Sequence, residues 1–230
     1  MAELHSLELL QDANLQAYYR LEDVTDSKNS YDLTNVGTVA FNAAKYKNGG
    51  DCGETNNSKY LTVANNLGID GGAISIASWV KCKTEIGTGL YIFLNQVSTT
   101  SKVKNEIWYD YNGGTRRLVF SREQVGLTPT QVAYTVTLGT SDWHHIAYTY
   151  DGTNIRGYVN GVLIAGPTAA SGNGSTAVSS GFTIGARWDG SASYYASMIF
   201  DDTAVFNRAL TLAETKSLYR SGSDKMFLVM

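Results

Sequence analysis

The sequence predicts an all-β fold: an antiparallel sandwich of two packed sheets, closed by one short C-terminal helix. Three observations predict it. Short apolar or alternating runs recur along the chain, and Gly, Asn, Asp or Ser punctuates nearly every gap between them. The composition sets 23 glycines against 2 prolines, which suits many strands joined by tight turns rather than a proline-rich disordered chain. The stretch from Trp143 to Ala165 holds two consecutive hairpins, leaving little room for helix.

Residues 3–12 place Leu4, Leu7 and Leu10 at near-helical spacing, and a short helix and a strand-like lead-in are both open there. Asn14 to Arg20 reads as a first strand. Residues 22–37 form a loop rich in Asp, Asn, Ser and Gly, whose side chains bond their own backbone in turns. Strands are then expected at 38–46, 59–64, 73–82, 90–97, 104–111, 116–122, 131–138, 143–150, 154–159, 162–165, 181–186 and 196–206. With no helices between them, these strands pair antiparallel in two packed sheets.

Within the hairpin, alternation places Trp143, His145, Ala147 and Thr149 on one face of the strand and His144, Ile146, Tyr148 and Tyr150 on the other. Asp151-Gly152 and Asn160-Gly161 supply the turns, and Asn-Gly provides the positive φ values that a type I′ turn demands. Near the C-terminus, Thr211-Leu212-Ala213-Glu214 fits a capping box, and a helix should run to about Tyr219 and stop at Ser221-Gly222.

The charge balance narrows the partners. The net charge is −3 and no basic run occurs, so a phosphate-tracking groove is not expected and nucleic acid is an unpromising ligand. No apolar run approaches the ~18 residues of a membrane span. The start Met1-Ala2-Glu3-Leu4-His5 lacks the basic-then-apolar order of a secretion signal. The readings this leaves are a cytoplasmic protein, a virion component, or an extracellular or surface module cut from a longer chain. Cys52 and Cys82 form no CxxC, and only 3 histidines occur, which argues against a thiolate zinc site. Two buried thiols and a disulfide both remain open.

AISIASWVKC (73–82), DWHHIAYTYDGTNIRGYVNGVLIA (142–165) and FDDTAVFNRALTLAETKSLY (200–219) resemble, in order and spacing, the concanavalin A-like, laminin G-like jelly-roll family. AYYRLEDVTDSKNSYDLTNVG (17–37) resembles that family's opening strand and polar loop. The resemblance implies a jelly-roll sandwich over 1–222 with a tail at 223–230. It also implies a structural calcium ion held where the opening loop meets the last strand. The matching positions are Asp26, Asn29 and Asp201, and the departure is Ser27-Lys28-Asn29-Ser30, where the family loop is Gly-Asn rich. The resemblance leaves function open, because the fold carries lectins, adhesion modules and glycanases alike.

Glycanases of the fold set paired acids along one strand, and Glu106-Ile107-Trp108-Tyr109-Asp110 echoes that arrangement on one face. Here Trp108 replaces the middle acid and Asp110 is one methylene short. The Cα atoms of Glu106 and Asp110 would lie about 13 Å apart in a flat strand. A non-catalytic role is therefore expected. The histidines His144 and His145 face opposite ways and cannot share a metal, and no G-x-S-x-G elbow occurs.

Sugars stack on aromatic rings with polar groups nearby. Two stretches suit that chemistry. One is Trp108 between Glu106 and Asp110. The other is the loop carrying Arg187, Trp188, Asp189, Tyr194 and Tyr195. Trp79 and Trp143 match buried positions and are expected in the core. The expected function is a carbohydrate-recognition module stabilised by calcium. The alternative is a structural or adhesive surface protein, such as a virion or tail component, that contacts protein neighbours. A glycoside hydrolase is the third reading.

Overall fold

The structure is a computed structural model, and it describes residues 9–52, 58–65, 67–69, 72–98, 104–123, 128–170, 179–188 and 192–222. Two antiparallel sheets face each other. The first runs in the order β13 (Val162–Ala169), β12 (Asn154–Val159), β11 (His144–Tyr150), β6 (Ile74–Cys82), β17 (Met198–Phe206), β4 (Asn48–Asp51), β3 (Ala40–Ala43), and β1 (Leu15–Tyr19) also pairs with β17. The second runs in the order β10 (Thr130–Thr135), β9 (Thr115–Glu123), β8 (Lys104–Asn112), β7 (Gly89–Ser98), β14 (Ser179–Ile184), β5 (Tyr60–Val63), β2 (Thr34–Val36). A small ladder joins β15 (Arg187–Trp188) to β16 (Ala192–Ser193).

The alternation of each strand decides what fills the space between the sheets. From the first sheet come Ile74, Ile76, Val80, Ile146, Tyr148, Tyr150 and Phe200; from the second come Phe93, Ile107, Tyr109, Leu118, Phe120, Phe182 and Ile184, all fully buried. Phe93 packs on Tyr109 and on Phe200, linking the two layers through aromatic edges. Gly157 of β12 leaves its space to Phe120, because a Cβ there would lie 2.1 Å from the ring.

The expected hairpin stands as read. Ile146 pairs with Val159 and Tyr150 with Ile155, and Asn160 and Gly161 both take positive φ. Of the expected strand at 38–46 only β3 (Ala40–Ala43) forms, and it pairs with β4 (Asn48–Asp51), a strand the sequence reading did not place. They are joined by a turn in which the Ala44 N–H donates to the Lys47 carbonyl at 3.0 Å.

The C-terminal helix, α1 (Leu212–Gly222), opens on the capping box. The Thr211 N–H donates to Glu214 Oε2 at 2.7 Å, and the Glu214 N–H donates to Thr211 Oγ1 at 3.2 Å. Residues 9–11 form a helical turn; the earlier leucines lie outside the described residues, as does the expected tail at 223–230.

Trp79 is buried, but beneath α1 rather than between the sheets. It shares the outer face of the first sheet with Ala77. His145 and Tyr219 pack on its ring at 5.3 and 5.6 Å, and Lys45 Nζ sits 4.6 Å from the ring centre. Trp143 is half-buried and precedes β11, so it is not the core residue expected. Cys52 and Cys82 are both buried and unbonded. They flank the same residue: Cys82 pairs with Met198 across one edge of β17, and the Cys52 N–H donates to the Met198 carbonyl across the other.

Candidate functional site

The second sheet turns a polar face outward. Ile107 and Tyr109 of β8 are buried in the core, so Glu106, Trp108 and Asp110 project from the other side of the strand. β9 adds its own outward set in register: Ser121 lies opposite Glu106, Val119 opposite Trp108, and Arg117 opposite Asp110. On the far side of β9, Gln131 of β10 lies opposite Ser121.

The acids on this face are neither open to water nor alone. Arg117 grips Asp110 with two bonds, Nε to Oδ1 at 2.9 Å and Nη2 to Oδ2 at 2.7 Å. The Trp108 indole N–H reaches Asp110 Oδ2 at 3.4 Å, which holds the ring edge toward that acid. Glu106 is 4 % exposed and accepts a bond from Arg187 Nε at 3.1 Å.

That last bond joins the two stretches singled out in the sequence. The segment after β14 turns back on itself, its base closed by the Ala196 N–H donating to the Gly185 carbonyl at 2.8 Å. From it Arg187 reaches Glu106, and Tyr195 packs against Tyr60 of β5 at 6.1 Å. Tyr194 is largely exposed, with the Arg187 guanidinium 5.9 Å from its ring centre. Trp188 belongs to β15; Asp189 lies outside the described residues.

Between the segment and the sheet lies a groove of about 190 Å³, lined by Leu90, Glu106, Trp108, Ser121, Glu123, Pro129, Gln131 and Arg187. Trp108 is half-buried within it. Of the expected ligand-binding residues, the groove gathers Glu106, Trp108 and Arg187, with Asp110 adjoining. The sequence reading missed Ser121, Glu123, Gln131 and Arg117. Their signal was present: the turn at Asn112–Thr115 fixes a register that sets alternate residues of β9 beside those of β8.

A larger cavity of about 350 Å³ lies under α1, floored by Leu9, Phe206, Leu210 and Leu218. Its charges serve the packing of the helix: Arg208 pairs with Asp12 at 2.6 Å and with Glu214 at 2.8 Å. None of the residues expected in a ligand site lines it.

The residues matched to a calcium site do not fit one. Asp26 is 5 % exposed, and four backbone N–H groups fill its carboxylate: Tyr18 and Lys28 donate to Oδ1, Asn29 and Tyr31 to Oδ2, at 2.9 to 3.3 Å. Such a ring of N–H groups presents positive dipole ends where a hard cation needs oxygen. Asn29 spends its side-chain amide on the Gln16 carbonyl at 2.6 Å. Asp201 Oδ2 accepts the Tyr46 N–H at 3.1 Å; burial first, and the Asp202 carboxylate second, push its carboxyl up to about 8. Among the described residues, no group of three or more His, Cys, Asp or Glu side chains is placed to hold a metal.

The two acids of β8, Glu106 and Asp110, are each paired with an arginine. Both oxygens of Asp110 are taken by Arg117, and Glu106 by Arg187. A retaining pair needs two carboxyl groups about 5–5.5 Å apart, flanking a reacting bond. Among the described residues, no helix is long and apolar enough to cross a membrane.

Comparison with known proteins agrees with this architecture. A family model described as the Concanavalin A-like lectin/glucanases superfamily matches residues 55–216. A search of curated protein sequences returns no match. Among solved structures, a botulinum neurotoxin type C structure, reported for cell entry that depends on two ganglioside molecules, is 15 % identical. It covers 94 % of this chain and 53 % of its own, with a TM-score of 0.73. Domain 4 of AbnA, an extracellular GH43 arabinanase from Geobacillus stearothermophilus solved with arabinotriose, is 17 % identical. It covers 90 % of this chain and 98 % of its own, with a TM-score of 0.66. The binding domain of Paraclostridial Mosquitocidal Protein 1 is 17 % identical, covers 92 % and 53 %, and has a TM-score of 0.70. The chain spans about half the length of the toxin structures it matches. At these identities the likeness establishes the fold.

Proposed function

The chain belongs to the concanavalin A-like lectin/glucanase superfamily, and from that premise we propose that it is a non-catalytic module that binds carbohydrate in the groove on the outer face of the second sheet. The observation that carries this reading is Trp108. A half-buried indole, held by Asp110 and bordered by Glu106 and Arg187, offers a flat apolar face among hydrogen-bonding groups. A sugar ring has the complementary surface, with C–H groups on its face and hydroxyls at its edge.

Two further points support it. The groove lies on a rigid sheet and is walled by a loop, an arrangement that suits recognition. The structures it resembles include a toxin described with gangliosides and an arabinanase domain solved with arabinotriose, which fits a fold repeatedly used for glycans. The ion pairs that Arg117 and Arg187 make with the β8 acids support the non-catalytic part of this reading.

The test is a glycan array with wild type and Trp108→Ala, followed by calorimetry on the best ligand. Thermal melts of both proteins check that the variant folds. The expected result is saturable binding that the variant weakens at least about tenfold, equivalent to ~1.4 kcal/mol. Binding that Trp108→Ala leaves unchanged removes the groove from the site. Absence of glycan binding by a folded wild type returns the module to a protein-contacting role.

A further inference from the structure

We propose that the outer edge of β10 is an interface for a second copy of this chain, paired antiparallel about a two-fold axis at Ala133. β10 (Thr130–Thr135) ends the second sheet, and among the described residues no strand pairs with its other side. One bond fixes which way its backbone groups point. The Val136 N–H donates to the Arg116 carbonyl at 3.0 Å, continuing the register that sets Thr135 opposite Arg117. Facing residues of an antiparallel pair alternate between exchanging bonds and not exchanging them, so Thr130, Val132 and Tyr134 bond to β9. Gln131, Ala133 and Thr135 therefore aim their N–H and C=O groups away from β9, and all three residues are exposed.

An open strand edge is a template for another chain, and proteins blunt such edges with short strands, bulges, charges or proline. The other ends of the two sheet orders carry these devices. β2 has 3 residues and β3 has 4. β13 is broken by register shifts against β12 and contains Pro167, which has no N–H to offer. β10 has none of them. Its 6 residues, TQVAYT, include no charge and no proline, and its register with β9 is unbroken.

The sequence of β10 fits itself. With Ala133 opposite its own copy, Gln131 lies opposite Thr135 and Val132 opposite Tyr134, on both sides of the axis. Each outward N–H then meets a carbonyl. Tyr134, exposed in the single chain, gains a β-branched neighbour at a position where facing side chains stand close, and no charges oppose each other within the strand. A two-fold contact of this kind closes on itself instead of growing into a fibre. The pairing stands on β10 alone; its consequence for glycan rests on the groove reading. Trp108, Val119 and Ala133 lie in one row across β8, β9 and β10. An axis at Ala133 continues that row into the second copy. The two Trp108 side chains then stand on one face, five strand spacings or about 24 Å apart in a flat sheet. Two grooves so placed meet one surface of repeated glycan together.

Sedimentation equilibrium of the full chain from roughly 1 to 100 μM tests the pairing. The expected result is a monomer–dimer equilibrium. Ala133→Lys sets like charges opposite each other at the axis and should weaken dimerisation at least about tenfold. Ala133→Pro removes an N–H that β9 does not use and should do the same. Thermal melts check that both variants fold. Oxidative cross-linking reads the register without depending on either variant. Ala133→Cys should give a disulfide-linked dimer, because its facing Cα atoms lie about 5.5 Å apart. Gln131→Cys should not, because its copy is displaced about 13 Å along the strand. A wild type that stays monomeric over this range overturns the proposal, and so does a dimer that both Ala133 variants leave intact or that Ala133→Cys fails to trap. Trp108→Ala should dimerise like wild type. A dimer that binds no glycan overturns the groove reading and leaves the interface standing, and a strict monomer that binds glycan through Trp108 does the reverse.

Discussion

Arg187 Nε lies 3.1 Å from Glu106 Oε1, tying a loop segment to the middle of a strand 81 residues earlier in the chain. The Glu106 side chain is 6 % exposed and that of Arg187 26 %. The pair is thus partly desolvated and fixes one wall of the groove. Glu106→Gln and Arg187→Ala should each loosen the segment, and the double variant should lose little more than either. A double-mutant cycle on thermal or denaturant stability should return a coupling of about 1–2 kcal/mol. A coupling near zero would mean that the contact positions nothing.

Gly157 faces Phe120 so closely that a Cβ would meet ring carbons at 2.1 to 2.6 Å. Phe120 is fully buried. Gly157→Ala should therefore overpack the core and cost about 1–3 kcal/mol in urea unfolding. Adding Phe120→Leu should recover part of that loss. A Gly157→Ala protein as stable as wild type would contradict this packing.

What the sequence revealed and what it hid divide along the range of the interactions. The 154–159 strand, the Asn160-Gly161 turn and the Thr211–Glu214 box depend on neighbours a few residues apart, and each matched its reading. That Glu106, Trp108 and Asp110 share one face followed from alternation, whereas its outward direction is set by the burial of Ile107 and Tyr109 between the sheets. The ion pairs that neutralise those acids did not, because Arg117 and Arg187 arrive through pairing and loop closure. Trp79 was legible as buried, since its strand is apolar. That α1 covers it, rather than the opposing sheet, is a matter of tertiary packing. Asp26 looked like a cation ligand because an acid in a polar loop has the same letters whether it meets a metal or backbone N–H groups.

Asp26 itself gives the sharper test of the opening loop. Its carboxylate accepts four backbone N–H bonds and is nearly sealed from water. Asp26→Ala should leave these donors unsatisfied and lower stability by about 2–4 kcal/mol, with or without calcium. Melting of metal-stripped wild type should be the same in calcium and in EDTA. A rise of Tm in calcium that Asp201→Asn abolishes would instead place an ion at the Asp201–Asp202 carboxylates.

His145 should make the fold acid-sensitive. It is buried against Trp79 and Tyr219, its Nδ1 has no hydrogen-bond partner, and burial pushes its imidazole down to about 3. The unfolded chain binds this proton near pH 6.5, whereas the folded chain refuses it until about pH 3. Between those values the unfolded state carries more protons, so the stability contributed by neutral His145 is complete above about pH 6.5 and is lost as the pH falls toward 3. At about pH 4.5 the loss should reach up to roughly 2–3 kcal/mol. Denaturant unfolding of wild type and His145→Gln from about pH 7 to 4.5 reads the effect directly. The variant starts lower, because it repacks beneath Trp79, but its stability should fall less steeply with acid. Parallel curves for the two proteins would show that His145 takes up its proton without unfolding the chain.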